Sequence, residues 1–313
     1  MASSEAQALT DLYSHWGRRF AADPAMDRDT TLDLYDGWAR VTAEAEGVSY
    51  RTVDADGVPA LWALPPEPAS HPDGAVLFSH GGGYFAGSPD SHRKLAGHVA
   101  KASGTPVLVY GYRLVPEHLP FPDPQLEDTD KAFSWIVASG VPASRIALIG
   151  DSAGAALVTL FVLRLRDAGR ALPAAVVALS PMYDLLGESP SLTANLGKDL
   201  LTTPELIRSA GSDLLGPDRS PADPAYNPLK ADLAGLPPFF LSVGGYEGLL
   251  DDSRRFAARA RAAGVDVELE IIPEMQHVFH FLAGNAIEAD TSIARIGRFI
   301  DERVAAAAPG AGR

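Results

Sequence analysis

The chain has 313 residues, 46% of them hydrophobic and 21% charged, which is enough apolar material for one large α/β core. With 40 acidic against 26 basic residues the net charge is −14, which repels phosphate backbones and anionic headgroups. No nucleic-acid or membrane partner is therefore expected, and the absence of cysteine removes disulfides, thiolate nucleophiles and Cys-based metal sites.

Residues 1–16 carry Glu5 and Asp11 but no basic region followed by an apolar one, which argues against a secretory signal and for a cytoplasmic location. Residues 1–45 read as helical, carry Trp16, Tyr35 and Trp38, and are expected to form the first part of a cap. Runs at 48–53 and 59–64 flank the turn Asp54-Ala55-Asp56-Gly57, the pattern of an antiparallel hairpin at a sheet edge. Core residues 46–184 then alternate buried-strand runs at 75–79, 106–110, 145–149 and 175–180 with helical patterns at 128–138 and 152–167. Phe133 and Trp135 lie on the apolar face of the first of these helices and read as core. Residues 185–235, rich in Pro, Gly and Leu, interrupt the alternation and are expected to supply the second part of the cap. The core resumes over 236–313, with strand runs at 239–243 and 267–272 and helical patterns at 252–263 and 287–304. This alternation predicts an α/β fold with a mostly parallel sheet of eight strands flanked by helices. The low-complexity tail 305–313 is expected to fray. The most apolar stretch, 153–163, ends at Arg164 and falls short of the roughly 20 residues a membrane helix needs.

Chemistry enters at Gly150-Asp151-Ser152-Ala153-Gly154, which follows a strand and opens an apolar helix. In that context the glycines allow a tight strand-to-helix turn that exposes the Ser152 hydroxyl as a nucleophile, while the helix N-terminus and the Ala153 N–H face a developing oxyanion. A serine that merely caps the helix is the plain alternative for the pentapeptide alone. Directly after the strand 75–79 comes His80-Gly81-Gly82-Gly83-Tyr84, whose glycines let backbone amides approach a substrate. Gly82 and Gly83 are expected as oxyanion donors with Ala153, His80 as a brace for the loop, and Tyr84 as a pocket residue.

Acid and base are expected downstream, in that order. His277 follows the strand run 267–272 on a loop, with His280 as the rival; their spacing lacks the carboxylate motif of a metal site, so no metal is expected. Glu247 follows the run 239–243 and is the expected acid, with Asp251 as the alternative; Asp251 and Asp252 otherwise read as residues that open the next helix. Asp151, Tyr112, Arg113 and Glu117 are expected to be structural.

These segments, with Tyr112-Arg113-Leu114-Val115-Pro116-Glu117, Leu236-Pro237-Pro238, Glu247-Gly248-Leu249-Leu250-Asp251-Asp252 and His277-Val278-Phe279, resemble the bacterial hormone-sensitive-lipase-like esterases over most of the chain beyond residue 45. The resemblance implies the α/β-hydrolase fold with a helical cap and carboxylester hydrolysis, usually of short acyl chains, without a cofactor. It favours Glu247 as the acid, implies a small-molecule ester as partner, and leaves open a homodimer through the last strand and helix. Two features depart from the family pattern: Ala155 stands where a second glycine is common, and 119–125 is about two residues longer than usual. Lactone opening and acyl transfer use the same three residues. A non-catalytic binding protein of this fold typically loses one of them, and here Ser152, Glu247 and His277 are all present.

Overall fold

The computed structural model describes residues 2–66, 69–71 and 73–306. In chain order the elements are α1 (Gln7–Ala22), α2 (Arg28–Tyr35), α3 (Trp38–Val41), β1 (Ser49–Asp54), β2 (Pro59–Leu64), β3 (Ala75–Ser79), α4 (Pro89–Ser103), β4 (Val107–Tyr110) and α5 (Asp123–Ala138). They continue with β5 (Ile146–Asp151), α6 (Ala153–Asp167), β6 (Ala175–Leu179), α7 (Pro190–Ala194), α8 (Pro204–Leu215), β7 (Phe239–Gly244), α9 (Leu250–Ala262), β8 (Val267–Ile272) and α10 (Ile287–Ala306).

The strands form one 8-stranded sheet in the order β1-β2-β4-β3-β5-β6-β7-β8. The hairpin β1–β2 is antiparallel and β2 meets β4 antiparallel, while every later pairing is parallel. Parallel strands must be covered on both faces. Accordingly β3, β4, β5, β6 and β7 are buried at every position, whereas β1 is half-buried only at Tyr50 and Val53 and exposed elsewhere. One face packs under Phe133 of α5, the apolar run of α6, and Phe256 of α9. The other packs under Leu95 and Val99 of α4, Ile293 and Ile296 of α10, and Leu9, Tyr13 and Trp16 of α1.

Three local features differ from the sequence expectation, and α8 gives the second cap segment the helix expected of a helical cap. The α4 helix carries no sequence-predicted counterpart; its start is a capping box in which Ser88 and Ser91 each bond the other's backbone amide. A helix opened by the Thr203 side chain, α8, lies within the Pro- and Gly-rich stretch 185–235. Trp135 is half-buried rather than core, packing its ring 6.3 Å from that of Trp62, because it faces the sparsely covered hairpin edge; Phe133 is buried as expected. The expected fraying tail begins with Ala305 and Ala306, which close α10, and its remainder lies outside the described residues. No helix among the described residues is long and apolar enough to cross a membrane.

Register decides where the loops emerge. Ser79, the last residue of β3, pairs with Gly150 of β5, so the His80–Tyr84 segment leaves the sheet beside the Gly150–Gly154 turn. Gly244 and Ile272, the last residues of β7 and β8, pair with each other, so the loops carrying Glu247 and His277 also start side by side. All four loops leave from the carboxyl ends of parallel strands, where open α/β sheets collect their ligands.

Candidate active site

Between the end of β5 and the start of α6 stands one residue, Ser152, with φ 53° and ψ −118°. A non-glycine residue there stores strain of about 1–3 kcal/mol, which the surroundings must hold in place. Its amide donates to Leu179 O at 2.8 Å and its carbonyl accepts from Met182 N at 3.1 Å, so β6 and the loop after it grip the turn. The Ser152 side chain makes no capping bond to α6, and the helix-cap alternative is not how this hydroxyl is used. The flanking glycines have a steric reason. A Cβ on Gly154 would strike the carbonyl oxygens of Ser79 and His80, and one on Gly150 would strike the backbone of Gly154. The first four amides of a helix have no partner within it, which leaves the Ala153 N–H directed out of the start of α6.

The glycine loop is tied to this turn from below. Asp151, fully buried, accepts from Gly81 N at 2.9 Å and lies 3.3 Å from His92 Nε2. His80 bonds Gly81 O through Nδ1 at 2.8 Å, stacks on Tyr112 at 4.2 Å, and is pushed down to about 3 by burial, so it braces the loop as a neutral ring. Tyr112 donates to His80 O at 2.9 Å. Arg113 bonds Asp128 at 2.9 Å and Glu127 at 2.6 Å, and Glu117 reaches Arg28 at 3.2 Å. The expected structural side chains thus form the support of the loop and its surroundings.

His277 and Glu247 meet through Nδ1 and Oε2 at 2.8 Å, both buried. The other Glu247 oxygen accepts from Ser180 Oγ at 2.6 Å and Gly244 N at 2.5 Å. Ser180 Oγ also accepts from Val278 N at 3.1 Å, joining the acid to the loop of the histidine. Ser180 and Val278 both adopt positive φ, at 47° and 48°, which for the β-branched Val278 is an outlier that these bonds sustain. Burial pulls the His277 imidazole down, but the charge and hydrogen bond of Glu247, with Asp199 and Asp151 adding to them, raise it above its ordinary value. Burial likewise raises the Glu247 carboxyl, opposed by the same partner, Ser180 and Gly244. One proton is therefore held between Nδ1 and Oε2, which leaves Nε2 to accept another.

The two rivals lie elsewhere. His280 bonds Ser242 Oγ at 2.9 Å and Ser292 Oγ at 3.1 Å, and burial pushes it down to about 3. Asp251 pairs with Arg254 at 3.2 Å, one turn along α9.

A cavity of about 80 Å³ brings Ser152, His277, Gly82 and Gly83 together, walled by Tyr35, Trp38, Phe85, Met182, Leu201, Thr202, Leu206, Ile207 and Ala210. Tyr84 does not line it, contrary to expectation: the side chain is buried with its ring 4.4 Å from Phe121, in the 119–125 stretch, and Phe85 takes the place at the wall. A larger groove of about 670 Å³ between Ala2–Thr10 and Gln276 contains none of Ser152, Glu247 or His277.

Sequence reading passed over several side chains that hold this site. Tyr13 of α1, fully buried, donates to His277 O at 2.8 Å and accepts from Trp38 Nε1 at 3.1 Å. Ser180 had one signal, a hydroxyl at the end of an otherwise apolar strand. Asn195 and Asp199 had none, because they lie in a stretch without periodicity.

Residues 76–281 match a family described as alpha/beta hydrolase fold. An acetyl-hydrolase from Streptomyces hygroscopicus is 41% identical over 74% of this chain and 77% of its own. The esterase LipU of Mycobacterium tuberculosis is 34% identical over 83% of this chain and 88% of its own. Among solved structures, an esterase from the bacterial hormone-sensitive lipase family superposes with a TM-score of 0.87 at 40% identity, covering 97% of this chain and all of that one.

Proposed function

Since the chain belongs to the bacterial hormone-sensitive-lipase family of α/β-hydrolase-fold esterases and is a serine hydrolase of carboxylic esters, we propose that it cleaves short-chain acyl esters through Ser152, His277 and Glu247. Ser152 Oγ attacks the acyl carbon while His277 Nε2 takes its proton. The tetrahedral oxyanion is held by the N–H groups of Gly82, Gly83 and Ala153, a device for which each donor contributes about 2.7–4 kcal/mol to the transition state. Collapse breaks the C–O bond and His277 returns the proton to the departing alcohol. Water then attacks the acyl-enzyme, His277 again accepts the proton, and the acid leaves as Ser152 is reprotonated. Glu247 holds the ring in the tautomer that leaves Nε2 free.

The observation that carries this reading is the convergence of Ser152, His277, Gly82 and Gly83 on one cavity, with His277 bonded to Glu247. Segments 1–45 and 185–235 act in this reading as one cap, since Tyr35 and Trp38 come from the first and Leu201, Thr202, Leu206, Ile207 and Ala210 from the second. A short acyl group suits this cavity, which is small and walled by bulky apolar side chains of both cap segments. The relative named acetyl-hydrolase agrees with that class.

Purified protein and its Ser152→Ala variant, assayed on 4-nitrophenyl esters from acetate to decanoate, test both parts. The variant should be inactive, and kcat/KM should fall about tenfold or more between butyrate and octanoate. Near wild-type cleavage by Ser152→Ala refutes the nucleophile, and a flat chain-length profile refutes the short acyl class.

A further inference from the structure

The turn between α7 and α8 is bonded to both loops that carry the proposed acid and base. Asn195 Nδ2 donates to Glu247 O at 2.9 Å and Gly245 O at 3.1 Å. Asp199 Oδ2 accepts from Gly248 N at 2.6 Å, on the residue after Glu247, and from Thr202 Oγ1. Its Oδ1 accepts from Leu201 N and Thr202 N, both at 2.8 Å. Gln276, next to His277, donates to Lys198 O at 2.9 Å and accepts from Leu200 N at 3.3 Å. Asn195, Asp199 and Gln276 are each 7% exposed, and Leu201 and Thr202, at the end of the same turn, wall the cavity. Buried polar groups that satisfy one another in this way hold a single geometry, since losing one partner strands the other.

We propose that Asn195 and Asp199 are positioning residues that lock the Glu247 and His277 loops against the cavity wall. Beside that geometry, Asp199 is one of the carboxylates whose charge favours the protonated imidazole of His277. This rests on the Ser152–His277–Glu247 reading. Foremost among the charges whose field reaches His277 are Glu247 in the loop after β7, Asp199 in this turn and Asp151 at the elbow, and His277 in turn helps to lower His280 on the following turn. Tyr13 packs against it from α1 through the His277 carbonyl and stays neutral, its phenol raised by burial. Of the carboxylates, Glu247 bonds the ring directly and Asp151 holds the glycine loop, whereas Asp199 bonds the residue after Glu247 and its own turn.

Asp199→Asn and Asn195→Ala distinguish the two contributions. In the first, an amide has one acceptor oxygen where two are used, and the charge is gone. Its kcat should fall about tenfold or more at a KM within about threefold of wild type. The acid limb of kcat/KM should move to lower pH, because an imidazole without that charge loses its proton more readily. Asn195→Ala keeps the charge, so kcat should fall with the acid limb unmoved. Wild-type kcat and an unshifted limb in folded Asp199→Asn overturn the inference. If that variant does not fold, Asn195→Ala decides alone: a lowered kcat with an unshifted limb supports it and a wild-type kcat overturns it. Ser152→Ala, measured alongside, separates the two levels. Activity retained there removes the triad and this inference together, while its loss beside an unaffected Asp199→Asn removes only this inference.

Discussion

Replacing Glu247 by Gln tests the proposed acid more sharply than removing it. Oε1 of Glu247 accepts from Ser180 Oγ and Gly244 N, so the single oxygen of a glutamine must occupy that position to avoid donor facing donor. Its NH2 group then faces His277 Nδ1 at the place of Oε2, now 2.8 Å away. That nitrogen must accept rather than donate, which moves the ring proton to Nε2 and blocks the atom that receives the Ser152 proton. The shape of the site is kept while the tautomer is reversed. The corresponding change in a Ser-His-Asp triad lowers kcat about 10⁴-fold, equivalent to about 5.4 kcal/mol of transition-state stabilisation. Steady-state turnover of 4-nitrophenyl acetate, with far-UV circular dichroism to verify folding, measures it. Asp251→Asn, which loses a partly exposed bridge to Arg254, should stay within about twofold of wild type. A folded Glu247→Gln protein that retains a tenth of wild-type kcat refutes the tautomer reasoning, and a large loss in Asp251→Asn instead moves the acid to that position.

Three further outcomes follow from the same geometry. Tyr13→Phe strands the His277 carbonyl and the Trp38 indole N–H, at about 1–3 kcal/mol each, so the thermal midpoint should fall by about 3–9 °C in a calorimetric scan; a change under about 1 °C contradicts the buried relay. Gly154→Ala drives a methyl into the Ser79 and His80 carbonyls and should destabilise by about 1–3 kcal/mol or more in urea titration, whereas Gly17→Ala, with open space around its Cβ on α1, should stabilise by about 0.5–1 kcal/mol; equal effects would remove the steric account of the elbow. Because the Glu247 pairing raises His277 above 6.5 and hydrolysis needs the neutral ring, kcat/KM should be half-maximal on its acid side above pH 6.5, falling as the ring gains its proton; an acid limb below that value contradicts the pairing.

Much of the fold was legible because its signals are local. A parallel strand buried on both faces appears as an unbroken apolar run, and 75–79 is β3 to the residue, while the edge strand β8 keeps Glu268 and Glu270 between its apolar residues and still matches 267–272. The amphipathic helix α4 escaped the reading although Ser88, Pro89 and Ser91 mark its start, since only the capping geometry distinguishes that serine pair from an ordinary polar loop. Side-chain direction is not local either. Tyr84 sits in a glycine loop at a strand end, yet its φ of 69° accompanies a ring packed on Phe121, and its neighbour Phe85 reaches the cavity.

By itself the sequence determined the chemistry on offer: a serine between glycines at a strand-helix junction, a glycine loop upstream, and a carboxylate and a histidine downstream, each placed by the order of strands and turns along the chain. Tertiary structure decided among the candidates. Glu247 rather than Asp251 bonds His277, and His280 turns to Ser242 and Ser292, because β7 and β8 end in register and their loops can meet only in one way. It also decided what holds that pair, since Tyr13 comes from α1, Ser180 from the end of β6, and Asn195 and Asp199 from the turn between α7 and α8, and their meeting depends on sheet order and packing, on which no local pattern of residues bears.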